Sequence, residues 1–286
     1  MNATLIGCPA VPALLDAYLH RRLPHPQHAM FRDHLDTCQP CWEIWNRYRW
    51  DAAAGQRLLA ALRDFLGSSY RPYLDSSRAL HDEWIAAQPR TAAGIRHFFE
   101  NSEAYLYNLV IWHASGNRPG YVTAAIPYLT GARIILDFGS GIGQDTIDLR
   151  NLGHAVLPCD LPCPSARFMR YRLRQAGHDH RVADPRQLDP PPPADTLWII
   201  DTLDHLPDIP AALGPVLQRV DQVICENLRT ARAHGGQGFH QRRTYAEASD
   251  LLACFDLREH PTPYELPITV FTRRSAVPSR PTRKRA

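Results

Sequence analysis

Lysine is almost absent from this chain: Lys284 is the single one, and the other basic side chains are arginines. Any site whose chemistry needs two lysines in a core is therefore excluded. Long apolar runs are missing too, and none approaches the length of a membrane span. Residues 1–5 carry no basic segment of the kind that opens a secretory signal. A cytoplasmic protein with no membrane association is expected. Net charge is scarce as well. The 32 Lys+Arg against 29 Asp+Glu leave +3, too little to mark a nucleic-acid binder by charge alone. Seven cysteines in an intracellular chain read as thiols or metal ligands rather than disulfides.

What is present is enough for one large core and a smaller appendage: 286 residues, 44% of them hydrophobic. Residues 136–145 read Leu-Asp-Phe-Gly-Ser-Gly-Ile-Gly-Gln-Asp. A hydrophobic run ends in an acid and three alternating glycines, and a helical pattern follows. Such a turn brings backbone N–H groups close to a ligand. A dinucleotide fingerprint requires G-x-G-x-x-G, but the position of its third glycine is Gln144. Asp137 at the strand tip would repel a diphosphate and welcome a cation.

Six further strand segments follow in order. Residues 154–160 read as a second strand ending in Asp160, seventeen places past Gly143, and residues 180–184 as a third ending in Asp184. Residues 196–201 read as a buried strand, of the kind a parallel sheet requires, that runs into Asp201-Thr-Leu-Asp-His-Leu206. Residues 220–226 supply a fifth strand, and residues 255–259 and 268–273 a closing pair, the last antiparallel. Helices are expected over 165–176 and 244–254. Each acid taken alone also reads as a turn or cap residue.

The D-x-G-x-G-x-G run and this order resemble the class I S-adenosylmethionine (SAM)-dependent methyltransferases over about half the chain. The resemblance implies an α/β fold: a Rossmann-like seven-stranded sheet with helices on both faces. It implies that Asp137, Gly139, Ser140, Gly141 and Gly143 hold the methionine end of the cofactor. Asp160 with Leu161 would take the ribose and Asp184 the adenine, and Asp201 with Thr202 would border the methyl group. If a base is needed, His205, His240 and Glu226 are the candidates. His205 lies in the loop that faces the methyl group in that family, His240 in a glycine-rich loop after the fifth strand, and Glu226 at that strand's tip. Several branches of the family are excluded. The Asp-Pro-Pro-aromatic run of amino-directed nucleobase enzymes is missing, the Pro-Cys pairs flank the wrong strand for cytosine chemistry, and the ribose 2′-O type needs core lysines. A small-molecule acceptor is expected, with a protein as the alternative.

The second informative segment is His34-Leu-Asp-Thr-Cys38-Gln-Pro-Cys41. His34 and Cys38 share a helix face, and the Gln-Pro turn swings Cys41 back, as a tetrahedral zinc requires. Cys8, twenty-six residues before His34, is the expected fourth ligand, with His20, His25 and His28 as alternatives. H-x3-C-x2-C with an upstream Cys resembles the zinc-binding anti-sigma domain. Four filled positions leave none open, so the zinc is read as structural.

The expected organisation is a zinc-binding helical module over 1–50, a helical cap over 51–125, the methyltransferase domain over 126–275 and a disordered basic tail over 276–286. Tyr105, Tyr107, Trp112 and His113 are candidates for the pocket wall. The zinc module would brace the cap or dock a protein or carrier partner. Two rival readings stay open: an anti-sigma-like regulator that senses SAM without turnover, and an RNA methyltransferase guided by the arginine-rich tail.

Overall fold

The computed structural model describes residues 10–19, 23–42, 44–45, 53–72, 74–116, 118–131, 133–227, 239–240, 245–263 and 266–274. Six strands form one sheet: β1 (Ile134–Phe138), β2 (Ala155–Cys159), β3 (Thr196–Ile199), β4 (Gln222–Glu226), β5 (Leu257–His260) and β6 (Ile268–Arg273), in the order β2-β1-β3-β4-β6-β5. The first four in that order pair in parallel, and β6 closes antiparallel on β4 and β5.

Both faces are covered, which is why the centres of β3 and β4, Leu197–Ile199 and Val223–Cys225, read as apolar runs. Leu136, Leu197, Ile199 and Val223 point into one core with α10 (Ile209–Leu217) and α11 (Tyr245–Ala253). Ile135, Trp198, Ile224 and Val270 alternate onto the other, beneath α7 (Tyr121–Ala125) and α8 (Gln144–Asn151). The cover on this side thus begins at Tyr121, upstream of residue 126, where the sequence places the domain boundary.

The seventh strand is the one correction to the expected sheet. Residues 180–184 make only an isolated bridge, Ala183 beside Cys159. The Ala183 N–H donates to the Pro158 carbonyl at 2.8 Å, and the Asp160 N–H donates to the Ala183 carbonyl at 3.1 Å. In a strand, the N and C=O of one residue face the same neighbour. The Pro158 nitrogen therefore faces the third segment and has no hydrogen to give, so the ladder stops at one rung.

Helices upstream of the sheet form the cap: α3 (Ala53–Leu66), α4 (Ser76–Ala87), α5 (Ala92–Asn101) and α6 (Glu103–Ala114). Asp75, Thr91 and Ser102 cap the last three through side-chain oxygens that accept from backbone N–H groups. Leu62 of α3 and Leu106, Tyr107 and Val110 of α6 pack with Ile142 of the glycine turn and Phe168 of α9 (Pro164–Gln175). The cap is thus seated on the turn itself. Its second cluster, around Leu80, Trp84, Phe98 and Phe99, receives Phe239 from beyond β4. Near the N-terminus, α1 (Val11–Leu19) and α2 (His25–Thr37) build a separate small core of Val11, Leu15, Phe31, Leu35, Cys41 and Trp45.

Candidate active site

The turn after β1 carries Gly139, Gly141 and Gly143 at φ of +74°, +54° and +74°. Two of these glycines are also demanded by close approach. A Cβ on Gly139 would lie 2.9 Å from the Cβ of Thr202, with the rest of that side chain nearer still. A Cβ on Gly143 would sit 2.6 Å from Met169 Cγ. The turn is pinned from β2, whose Cys159 carbonyl accepts from the Gly139 and Ser140 N–H groups at 2.8 and 3.2 Å. Asp160 completes the anchorage, accepting from Gly141 N at 2.6 Å and Leu161 N at 2.7 Å.

A cavity of about 360 Å³ opens above this turn, within the range of small-molecule sites. Asp137, Gly139, Ser140, Gly141, Asp160, Leu161, Asp201, Thr202 and His205 line it, as do Tyr105, Trp112 and His113 of α6. Gly143, Asp184, Glu226, His240 and Tyr107 are not on its wall. Gly143 is spent on starting α8 and on Met169, and the Tyr107 oxygen accepts from Arg71 N at 2.7 Å. Asp184 is gripped by Arg186 through its backbone N–H at 3.0 Å and its Nε at 2.9 Å, which holds the carboxyl below its ordinary range. Pro185 and Arg186 face the cavity instead, and Arg186 also reaches Glu100 of the cap at 3.0 Å.

Burial is the largest influence on the acids beneath the cavity. Burial, then the neighbouring Asp145, pushes Asp137 up to about 7, although Thr146 donates to it and Arg118 acts against the shift. Burial likewise raises Asp160 to about 6 against its two N–H donors. Asp201 is at about 6 by burial, partly offset by Arg118 and by the Tyr121 hydroxyl, which donates at 3.0 Å. Asp201 sits at φ +51°, in the left-handed region that costs a non-glycine residue of order 1 kcal/mol. Its own N–H donates to Glu226 Oε2 at 3.0 Å. Burial, then Asp201 and Asp204, lifts Glu226 well above the carboxylate range. On the cap side, His113 is buried and held well below the imidazole range, hence neutral.

Sequence reasoning missed Arg118. Its guanidinium forks onto Asp145 with two 2.7 Å bonds and stacks over the Tyr121 ring at 4.7 Å. Trp198 Nε1 donates to the same carboxylate at 3.0 Å. A bare carboxylate here would cost several kcal/mol of desolvation, and the fork is what makes Asp145 tolerable. The only signal was an arginine between Trp112 and Tyr121 in an aromatic-rich stretch.

Beside the cavity, His205 lies among aromatic rings: Phe99 at 5.2 Å, Tyr105 at 6.0 Å and His240 at 4.7 Å. Its Nδ1 is 3.2 Å from the Phe239 carbonyl oxygen, which favours the tautomer with hydrogen on Nδ1 and a lone pair on Nε2. His240 Nδ1 is 2.5 Å from Asp204 Oδ2.

Far along the chain, His34, Cys38 and Cys41 converge with their ligand atoms within 4.8 Å of one another. Two thiols and an imidazole, with Cys41 1% exposed, are the donor set that zinc takes in structural sites, so the residues fit that ion. Cys8 and His20 lie outside the described residues, as does the side chain of His25. The His28 ring packs on Tyr18 at 4.5 Å.

Comparison with known proteins adds two kinds of finding. Residues 8–41 match the family described as a putative zinc-finger. A segment of 88 residues, 30% of this chain, is 34% identical to the ubiquinone biosynthesis O-methyltransferase of Paramagnetospirillum magneticum (strain ATCC 700264 / AMB-1). The match spans 35% of that relative's own length. Among solved structures, the S-adenosylmethionine-dependent methyltransferase SibL in its apo form is similar at 16% identity and TM-score 0.46, over 93% of this chain and 96% of that one. Magnesium protoporphyrin IX methyltransferase (ChlM) from Synechocystis PCC 6803 with bound SAM is similar at 16% identity and TM-score 0.39, over 71% and 100%. Neither structural likeness carries a conclusion about activity. No helix of the described residues is long and apolar enough to cross a membrane.

Proposed function

We propose that this protein is a SAM-dependent methyltransferase acting on a small molecule, with a structural zinc in its N-terminal module. The observation that carries the reading is the glycine turn opening onto a cavity floored by Asp137, Asp160 and Asp201. That floor suits a cationic ligand and would reject a diphosphate, and the 88-residue segment that is 34% identical to an O-methyltransferase points the same way. S-adenosylmethionine, when bound, supplies an electrophilic methyl carbon on a sulfonium.

This chain's residues would divide the work as follows. Asp137, Ser140 and the turn N–H groups hold the methionine end, with Gly139 and Gly143 shaping the turn. Asp160 and Leu161 take the ribose side, and Asp184 acts at the adenine end by gripping Arg186. Thr202 and Asp201 border the methyl group. His205 presents Nε2 to an acceptor hydroxyl and can take its proton, while His240 and Glu226 support that end from behind. The aromatic cap of Phe99, Tyr105 and Trp112 excludes water and favours an apolar acceptor body.

The zinc module would brace the cap or receive a protein or carrier partner. No observation favours a SAM sensor without turnover or an RNA acceptor. The test is transfer of labelled methyl from SAM into the small-molecule fraction of a cell extract, alongside calorimetric titration with SAM and its demethylated product. A labelled small molecule, lost with His205→Ala, is expected. Absence of binding by either nucleoside would end the proposal, and binding without turnover on any extract would leave the sensor reading in its place.

A further inference from the structure

Behind His205, which lines the acceptor end of the cavity, lie more ligating atoms than proton transfer requires. Asp204 and His205 come from the turn Leu203–His205 after β3, and His240 comes from beyond β4, yet their ligand atoms lie within 4.8 Å of one another. Asp204 Oδ2 is 2.5 Å from His240 Nδ1, and Asp204 Oδ1 is 3.8 Å from His205 Nε2. Donors that share one first-row ion at about 2.1 Å from it stand roughly 3 to 3.5 Å apart, so small side-chain rotations would close the set.

Two observations independent of that distance point to a cation. The first is the orientation of His205, whose Nδ1 is tied to the Phe239 carbonyl at 3.2 Å. Metal-binding imidazoles are held in this manner, one nitrogen on a backbone carbonyl and the other on the ion. The second is the charge around the cluster. The charges of Asp201 and Asp204 both act on buried Glu226, and Asp201 Oδ2 is buried without a hydrogen-bond partner. Among the described residues, Arg118 is a cation that acts on Asp201, and its two terminal nitrogens are committed to Asp145.

We propose that Asp204, His205 and His240 form a second divalent-cation site at the acceptor end of the cavity, separate from the thiolate centre at His34, Cys38 and Cys41. The donors are two imidazoles and a carboxylate with no sulfur, a set that accepts Mn²⁺, Fe²⁺ or Zn²⁺. The ion's open positions would face the cavity and take water or an acceptor oxygen. With the ion bound, His205 is a ligand rather than a base; the cation would acidify the acceptor hydroxyl, its proton would pass to water, and the oxygen would take the methyl group as the S–C bond breaks and the demethylated cofactor leaves. The role in methyl transfer rests on the function proposed above, whereas ion binding does not.

The probe is Mn²⁺ alone, because it avoids thiolates and so reports on the second site. The full chain carrying one equivalent of zinc, which the thiolate centre takes, is titrated and free Mn²⁺ is read by electron paramagnetic resonance. One bound Mn²⁺ per chain is expected. Asp204→Asn and His240→Gln should each weaken it by about 10- to 100-fold, and Cys38→Ser with Cys41→Ser should leave it unchanged. Circular dichroism confirms the fold of each variant at Asp204, His205 and His240. An unattenuated Mn²⁺ signal with the wild-type chain, or binding retained by the folded His205→Ala/His240→Ala variant, would overturn the proposal. A parallel SAM titration separates the two ideas: Mn²⁺ binding without SAM binding keeps the ion site and removes the methyltransferase, and the converse result does the opposite.

Discussion

Acidification should uncouple the cofactor from the turn. In the free protein Asp137 titrates at about 7 and Asp160 at about 6, both raised chiefly by burial. The groups acting on Asp137 are Asp145 and Asp160, which raise it, and Thr146 and Arg118, which lower it. The cationic methionine end over Asp137 and ribose hydroxyls donating to Asp160 favour the ionised forms and draw both back toward ordinary carboxylate values. Binding therefore releases protons, and affinity falls as the pH drops. For a single group at about 7, the loss by about pH 5 is on the order of 100-fold. Asp160 at about 6 would add about tenfold if it titrated alone, and because the two interact the combined loss is smaller than the product. The stability of the free chain runs the other way. A raised carboxyl holds a proton in the folded state that the unfolded chain has given up, so stability falls as pH rises from about 4 through about 7. Isothermal titration calorimetry with SAM between about pH 5 and about pH 8, in two buffers of different ionisation enthalpy, counts the protons directly. Near pH 6, release of about one proton per cofactor is expected, and Asp137→Asn should remove most of the pH dependence. Affinity that stays flat across the range with no proton released would refute the placement of the cofactor over these acids.

Three further outcomes follow from the geometry. Gly139→Ala combines φ +74° with a Cβ 2.9 Å from that of Thr202, and should cost about 2 to 3 kcal/mol and abolish SAM binding, read by thermal denaturation and calorimetry. Arg118→Met strips Asp145 of its fork and leaves only the Trp198 N–H. A loss of about 3 to 5 kcal/mol is expected in urea unfolding, because a buried charge is left uncompensated, and Asp145→Asn added to it should restore part of the loss. Stripping zinc, by chelation or by Cys38→Ser with Cys41→Ser, should unfold the core around Phe31 and Leu35, since structural zinc supplies about 10 kcal/mol to such modules. Hydrogen exchange should show that loss confined to residues 11–45, from which that core is built, with SAM affinity unchanged.

What the sequence determined alone is what local pattern encodes. Buried parallel strands announce themselves as apolar runs, as residues 197–199 do, and a turn that must cross the left-handed region announces itself through glycine. The zinc triad was equally legible, because three ligands within eight residues need only one helix and one turn to meet. Asp137 and Asp160 could be placed for the same reason: each follows directly from the strand it terminates.

Tertiary structure decided everything that depends on which distant segments meet. Pro158 looks like a tolerable residue in β2 until its bare nitrogen is found facing the third segment, which then pairs through Ala183 alone. Asp184 ends a strand-like segment as expected, but Arg186 occupies it. Arg118 finds Asp145 from 27 residues away, and His240 reaches Asp204 from 36. A side chain's neighbours along the chain set its backbone conformation, whereas the cost of burying its charge is settled by neighbours that only the folded sheet and cap bring within a few ångströms.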